Sequence, residues 1–89
     1  MAFSVAKAGV IQLSRDLAIH LARTEVRVNA LVLGHIETPQ LRALFDRISE
    51  EKAARRFRLM PMGRFGTLDE LAATAAFLAS EDAGFITGL

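Results

Sequence analysis

A mostly helical chain with one or two short strands is the fold class this sequence predicts, and three observations predict it. Apolar residues recur at helical spacing in three separate stretches. One run, VRVNALVLG at Val26 to Gly34, is almost continuously apolar and ends on glycine, as strands covered on both faces do. The first helix reaches that run through Thr24-Glu25 alone, which makes half of a βαβ unit.

The helix predicted over 5–23 carries Val10, Leu13, Leu17 and Leu21, with Ile11, Ala18 and Ala22 widening the stripe. Gln12, Asp16, His20 and Arg23 form a narrow polar stripe opposite, so the helix is expected to be buried on more than one side. The strand is placed at 26–33. Thr38-Pro39 then supplies a hydroxyl at N-cap and a proline at N1, and Leu41, Leu44, Phe45 and Ile48 follow at helical spacing. That helix is expected to run over 39–56 and to break at Met60-Pro61-Met62-Gly63. The last helix, 68–79, opens on Thr67-Leu68-Asp69-Glu70, a capping box in which Thr67 and Glu70 satisfy each other's amides. Residues 1–89 are read as a single partial domain, because one buried strand leaves its ladder partners unaccounted for.

Composition narrows the function. The 89 residues are 52% hydrophobic and hold no cysteine. A chain of that length buries only about 60–65% of the surface its unfolded form exposes. Part of the apolar load is therefore expected to meet another surface. The absence of cysteine removes disulfides and thiolate chemistry and fits a reducing compartment, and cytoplasmic is the expected location. A formal net charge of +1 argues against a dedicated nucleic-acid partner. No apolar run approaches the ~18–20 residues of a membrane span.

Lys7 stands out, since it shares one line of the first helix with Ile11, Ser14 and Ala18, inside the apolar arc. A lysine there either snorkels from the first turn or has a partner. His20 and Asp16 are spaced as a surface helix pair. Ser14 projects roughly 120° from His20, too far round the helix for a triad. His35 with Glu37 offers two metal ligands and no third. The run Lys52, Arg55, Arg56, Arg58, Arg64 has Glu50 and Glu51 beside it and reads as a solvated face with Glu-to-Arg pairing, phosphate or nucleic-acid contact being the alternative. Glu25 would cost around 1 kcal/mol relative to glycine if its site were left-handed.

Three motifs, FSVAKAG, VRVNALVLGHIETP and PMGRFGTLDELAATAAFLASEDAGFITG, stand in that order. Together they closely resemble the C-terminal portion of the short-chain dehydrogenase/reductase family, especially its acyl-carrier-protein-reductase-like members. The resemblance implies a C-terminal fragment of a Rossmann-like doubly wound α/β fold, without the N-terminal nucleotide-binding half, and an NAD(P)-dependent oxidoreductase family. It implies that Lys7 holds the nicotinamide ribose and depresses the pKa of a neighbouring tyrosine. The matching tyrosine position is Phe3, and these residues contain no tyrosine. It further implies that Gly34, Ile36 and Thr38 line the nicotinamide pocket. Read from the residues alone, Gly34 is a turn glycine and Thr38 an N-cap. There is no glycine-rich pyrophosphate loop among these residues, so no cofactor is expected on this chain alone. The expected function is a non-catalytic, self-associating helical body, a homodimer through its first and last helices. The alternatives are the C-terminal part of an oxidoreductase completed by another polypeptide, and a small helical protein with an unrelated hydrolase or nucleic-acid-binding activity.

Overall fold

A computed structural model describes residues 1–89. Its helices are α1 (Ala2–His20), α2 (Pro39–Arg47), α3 (Glu50–Arg58) and α4 (Leu68–Ala79), followed by a 3-10 turn at Glu81–Ala83. Within the span read as one partial domain, the backbone packs as two compact units. One is Met1–Val32 with Thr74–Leu89, and the other is Leu33–Ala73.

In the first unit, α1 begins at Ala2 rather than Val5 and ends at His20 rather than Arg23. Nothing in Ala2-Phe3-Ser4 stops a helix short. At the other end, the Thr24 amide and hydroxyl both donate to the Leu21 carbonyl, at 2.9 and 2.6 Å, and close a tighter turn. The side of α1 that sinks is the line Ile11, Ser14, Ala18 and Leu21, with Ala18 fully buried and Gly88 against it. Val10 and Leu13 stay more than half exposed.

The expected strand 26–33 is extended backbone but not a strand of a sheet. The Val28 carbonyl accepts from the Gly88 amide at 2.8 Å, and the Ala30 amide donates to the Leu89 carbonyl at 2.9 Å. These bonds run in parallel sense along one edge only. Gly88, at φ +77°, breaks the register between them, so no regular ladder forms. Side chains reinforce the approach. Asn29 donates through Nδ2 to the Ile86 carbonyl and accepts at Oδ1 from the Leu89 amide. Arg27 donates to the carbonyls of Leu78 and Ser80, at 2.7 and 3.1 Å, and at 3.4 Å to that of Ile86. A guanidinium there satisfies orphan carbonyls and complements the negative end of the α4 dipole.

In the second unit, the helix expected over 39–56 is two helices. Ile48 and Ser49 are extended, and the Ser49 hydroxyl accepts from the Lys52 amide to start α3. Phe45, Phe57 and Phe65 form the core, with centroids 4.9 to 5.3 Å apart. The Arg42 and Arg56 guanidinium groups each lie 5.8 Å from a ring centroid of this cluster. Thr67 accepts from the Glu70 amide at 3.1 Å and its own amide donates to Glu70 at 2.8 Å, which completes the capping box at the start of α4.

Candidate functional site

The singled-out residues fall in both units. In the first, Phe3 and Lys7 lie one helical turn apart on α1, and the Lys7 ammonium sits 5.5 Å from the Phe3 ring centroid. Phe3 is 74% exposed. The ring offers the cation a π face and no oxygen, so Phe3 itself has no proton to give or take.

In the second unit, Thr38 caps α2, its hydroxyl accepting from the Leu41 amide at 3.2 Å. Ile36 forms a single parallel bridge with Gly66. The Gly66 amide donates to the His35 carbonyl at 2.9 Å and the Glu37 amide to the Gly66 carbonyl at 2.8 Å. The amide and carbonyl of Ile36 itself face away from this bridge and bond to nothing in the chain. The approach is close enough that a Cβ on Gly66 would come within 2.9 Å of Ile36 Cδ1. Gly34 is not a turn glycine: its φ is ordinary, and a Cβ there would meet no atom within 4 Å.

Gly34 and Ile36 instead line a cavity of about 600 Å³, together with Leu59, Met60, Met62, Arg56 and Arg64. Sequence reasoning missed the arginines and methionines as cavity residues. The available signal was Gly66, whose lack of a side chain permits the bridge that folds 59–66 back toward Ile36. Arg64 is fixed by two bonds to the Glu70 carboxylate, at 3.0 and 2.8 Å. Arg64 and the Thr67 amide together hold the Glu70 carboxyl down at about 2.

Other candidates resolve differently. Asp16 accepts from Gln12 at 2.8 Å and does not pair with His20. The Ser14 hydroxyl donates back to the Val10 carbonyl. Glu50 and Glu51 form no ion pairs with the arginines of α3. They occupy its first turn and the arginines its last, each complementing the helix dipole. Glu37 pairs with Arg42. No residue other than glycine has positive φ, so Glu25 carries no left-handed strain. No cluster of three His, Asp or Glu side chains is placed to hold a metal ion. No helix is long and apolar enough to cross a membrane.

Comparison with known proteins shows the same frame. Residues 1–89 match the family described as enoyl-(acyl carrier protein) reductase. The 3-oxoacyl-(acyl-carrier-protein) reductase of Thermotoga maritima is 38% identical over 86 residues, 97% of this chain and 33% of that protein. A probable 2,4-dienoyl-CoA reductase of Bacillus subtilis is 44% identical over 87 residues, 96% of this chain and 34% of that protein. A short-chain oxidoreductase of Pseudomonas aeruginosa, described as containing an atypical catalytic center, superposes with a TM-score of 0.84 at 35% identity, over 99% of this chain and 37% of that one. The chain thus spans about a third of the length of the relatives it matches. With the motifs around Lys7, Gly34 and Gly66 in the family's order, these 89 residues belong to the short-chain dehydrogenase/reductase family and correspond to the C-terminal portion of its Rossmann-like fold.

Proposed function

We propose that these 89 residues do not catalyse hydride transfer by themselves and act as a self-associating helical body, a dimer formed through α1 and α4. The observation that carries this reading is the ring at position 3. In the family frame the acid/base hydroxyl belongs four residues before the lysine, and Phe3 puts a ring there without one. Self-association is supported by the open apolar face of α1, where Phe3, Val5, Val10 and Leu13 are each more than half exposed, and by Leu68 on α4. Such faces lose contact with water when they meet a copy of themselves, at about 25 cal/mol per Å² of apolar area.

A second reading, completion by another polypeptide, is favoured by the geometry at Ile36. Its unpaired amide and carbonyl, beside the bare wall at Gly34, fit the carboxamide end of a nicotinamide, and the Thr38 hydroxyl lies two residues on. In the first unit, Lys7 is the family match for the lysine that holds a ribose hydroxyl. NAD(P), when bound, supplies or accepts the hydride, and its pyrophosphate would have to be held by residues outside these 89. Phe3 withholds the usual proton in either case.

Native mass spectrometry of untagged protein purified gently from its host separates the two. A homodimer mass with nothing added is the expected result. A heteromeric mass, or a bound nicotinamide nucleotide, overturns the first reading in favour of the second.

A further inference from the structure

The turn after α3 brings exposed apolar residues and free cations of the second unit to one place. Leu59 and Met62 are each 76% exposed, Pro61 is exposed between them, and Met60 is half-buried. Gly63, at φ +68°, sends the chain back toward Gly66. The run 52–64 holds five cations and no acid, in a chain whose formal net charge is only +1. Two of the five are engaged, Arg64 with Glu70 and Arg56 over the Phe45 ring. Lys52, Arg55 and Arg58 are exposed and form no ion pair. Lys52, Arg55 and Leu59 follow one another along one side of α3, so the cations stand one and two turns behind the apolar tip.

The backbone of this turn is as closed as its side chains are open. The Leu59 amide donates to the Arg55 carbonyl at 3.2 Å, the Met60 amide to that of Phe57 at 3.1 Å and the Gly63 amide to that of Met60 at 2.9 Å. Pro61 has no amide to satisfy, which leaves Met62 as the one unbonded donor of the turn. A peptide that docks through its backbone needs open donors and finds almost none here. A hydrocarbon phase has the opposite requirement, apolar side chains in front and satisfied amides behind. Cations set back from an apolar tip match phosphates that lie above acyl chains. We infer that the Leu59–Met62 turn is a peripheral docking tip for an anionic lipid surface. Leu59, Pro61 and Met62 enter the boundary between headgroups and acyl chains, while Lys52, Arg55 and Arg58 meet the phosphates. Such a tip rests on the surface and needs no helix that crosses the bilayer. Neither reading above invokes these residues.

Indole fluorescence and vesicle flotation test this. The chain has no tryptophan, so Leu59→Trp carries a single indole at the tip and Leu13→Trp a single indole on the open face of α1. Both sites are exposed, and unchanged circular dichroism shows that each variant folds. The probes are vesicles of phosphatidylcholine alone and of phosphatidylcholine with about a third phosphatidylglycerol. The expected result is a blue-shifted emission for Leu59→Trp on the anionic vesicles only, and a smaller shift or none for Leu13→Trp. In flotation at low salt, Arg55→Gln with Arg58→Gln weakens binding about 25-fold, near fivefold for each charge. Leu59→Ser with Met62→Ser weakens it about tenfold or more with no change in charge. No binding to the anionic vesicles overturns the inference. Binding with the Leu59→Trp indole still in water, or undiminished by the two serines, is charge attraction alone and also overturns it. Equal binding to both kinds of vesicle removes the role of the cations and overturns the anionic assignment. A larger shift at Leu13→Trp than at Leu59→Trp gives the contact to α1 and overturns the tip.

Discussion

The two units divide the labour of folding unequally. The Leu33–Ala73 unit closes on itself: three phenylalanine rings meet at its centre, and a hydroxyl caps each of the helices that begin in it, from Thr38, Ser49 and Thr67. The unit made of Met1–Val32 and Thr74–Leu89 is held by side chains reaching backbone, Arg27 and Asn29 above all, and its fully sunken residues are two alanines, Ala18 and Ala83. Its longest helix has Met1 at the N-cap and no side-chain cap bond. Apolar content and core are therefore different quantities. Similar residue types become a core where rings converge, and remain an open face where a helix has only one sunken line.

The strongest test of that contrast is truncation. Phe45 touches both other rings, so Phe45→Ala is expected to cost about 3–5 kcal/mol and to unfold its unit, read as loss of helical circular dichroism in a urea titration. Leu13→Ala, on the exposed face of α1, is expected to move the free chain by no more than about 0.5 kcal/mol. Equal losses at the two sites would erase the distinction. A smaller effect sharpens it at the helix ends. Thr67→Ala removes a working cap and is expected to cost about 1 kcal/mol, seen as faster amide exchange in the first turn of α4. Met1→Ala has no cap bond to remove and should leave α1 unchanged.

The smallest effect is with pH. Glu70 is held at about 2 against an ordinary 4.5, so its contribution is fully present above about 4.5 and is lost as the pH falls toward 2. Acidification over that window should lower the protection of the Thr67 amide relative to its intrinsic exchange rate at each pH, and Glu70→Gln should flatten the response. Both groups are about half exposed, so added salt should shrink it further.

Much of this was legible in the chain, for reasons that differ by element. The capping box at Thr67–Glu70 and the Thr38-Pro39 start are local chemistry, settled within four residues, and the structure shows both. The break at Ile48-Ser49 was also local, a serine followed by two glutamates, but the apolar spacing through Ile48 masked it. Ile11, Ser14 and Ala18 were correctly placed on one line with Lys7, yet spacing could not say that this narrow line sinks beyond Lys7, which stays exposed, while Val10 and Leu13 remain open. Arg27 and Asn29 interrupted an apolar run at alternate positions, a signal of a tethered edge. What they tether lies 51 to 60 residues away, beyond any window of periodicity. The same distance hid the cavity at Gly34, whose wall is brought round by Gly66.

Those long separations also set an order in time. The aromatic cluster and the bridge from Ile36 to Gly66 join residues inside one continuous stretch of 33–73. The Arg27 and Asn29 bonds must close a loop that contains that entire stretch. Loop closure grows more costly with length, and contacts of high sequence separation form late. The inner stretch should therefore condense first and act as the spacer that carries Leu78, Ser80 and Ile86 back to Arg27. During that interval α1 and the 26–32 segment are the exposed, unclosed parts of the chain, and the guanidinium of Arg27 is the latch that ends it.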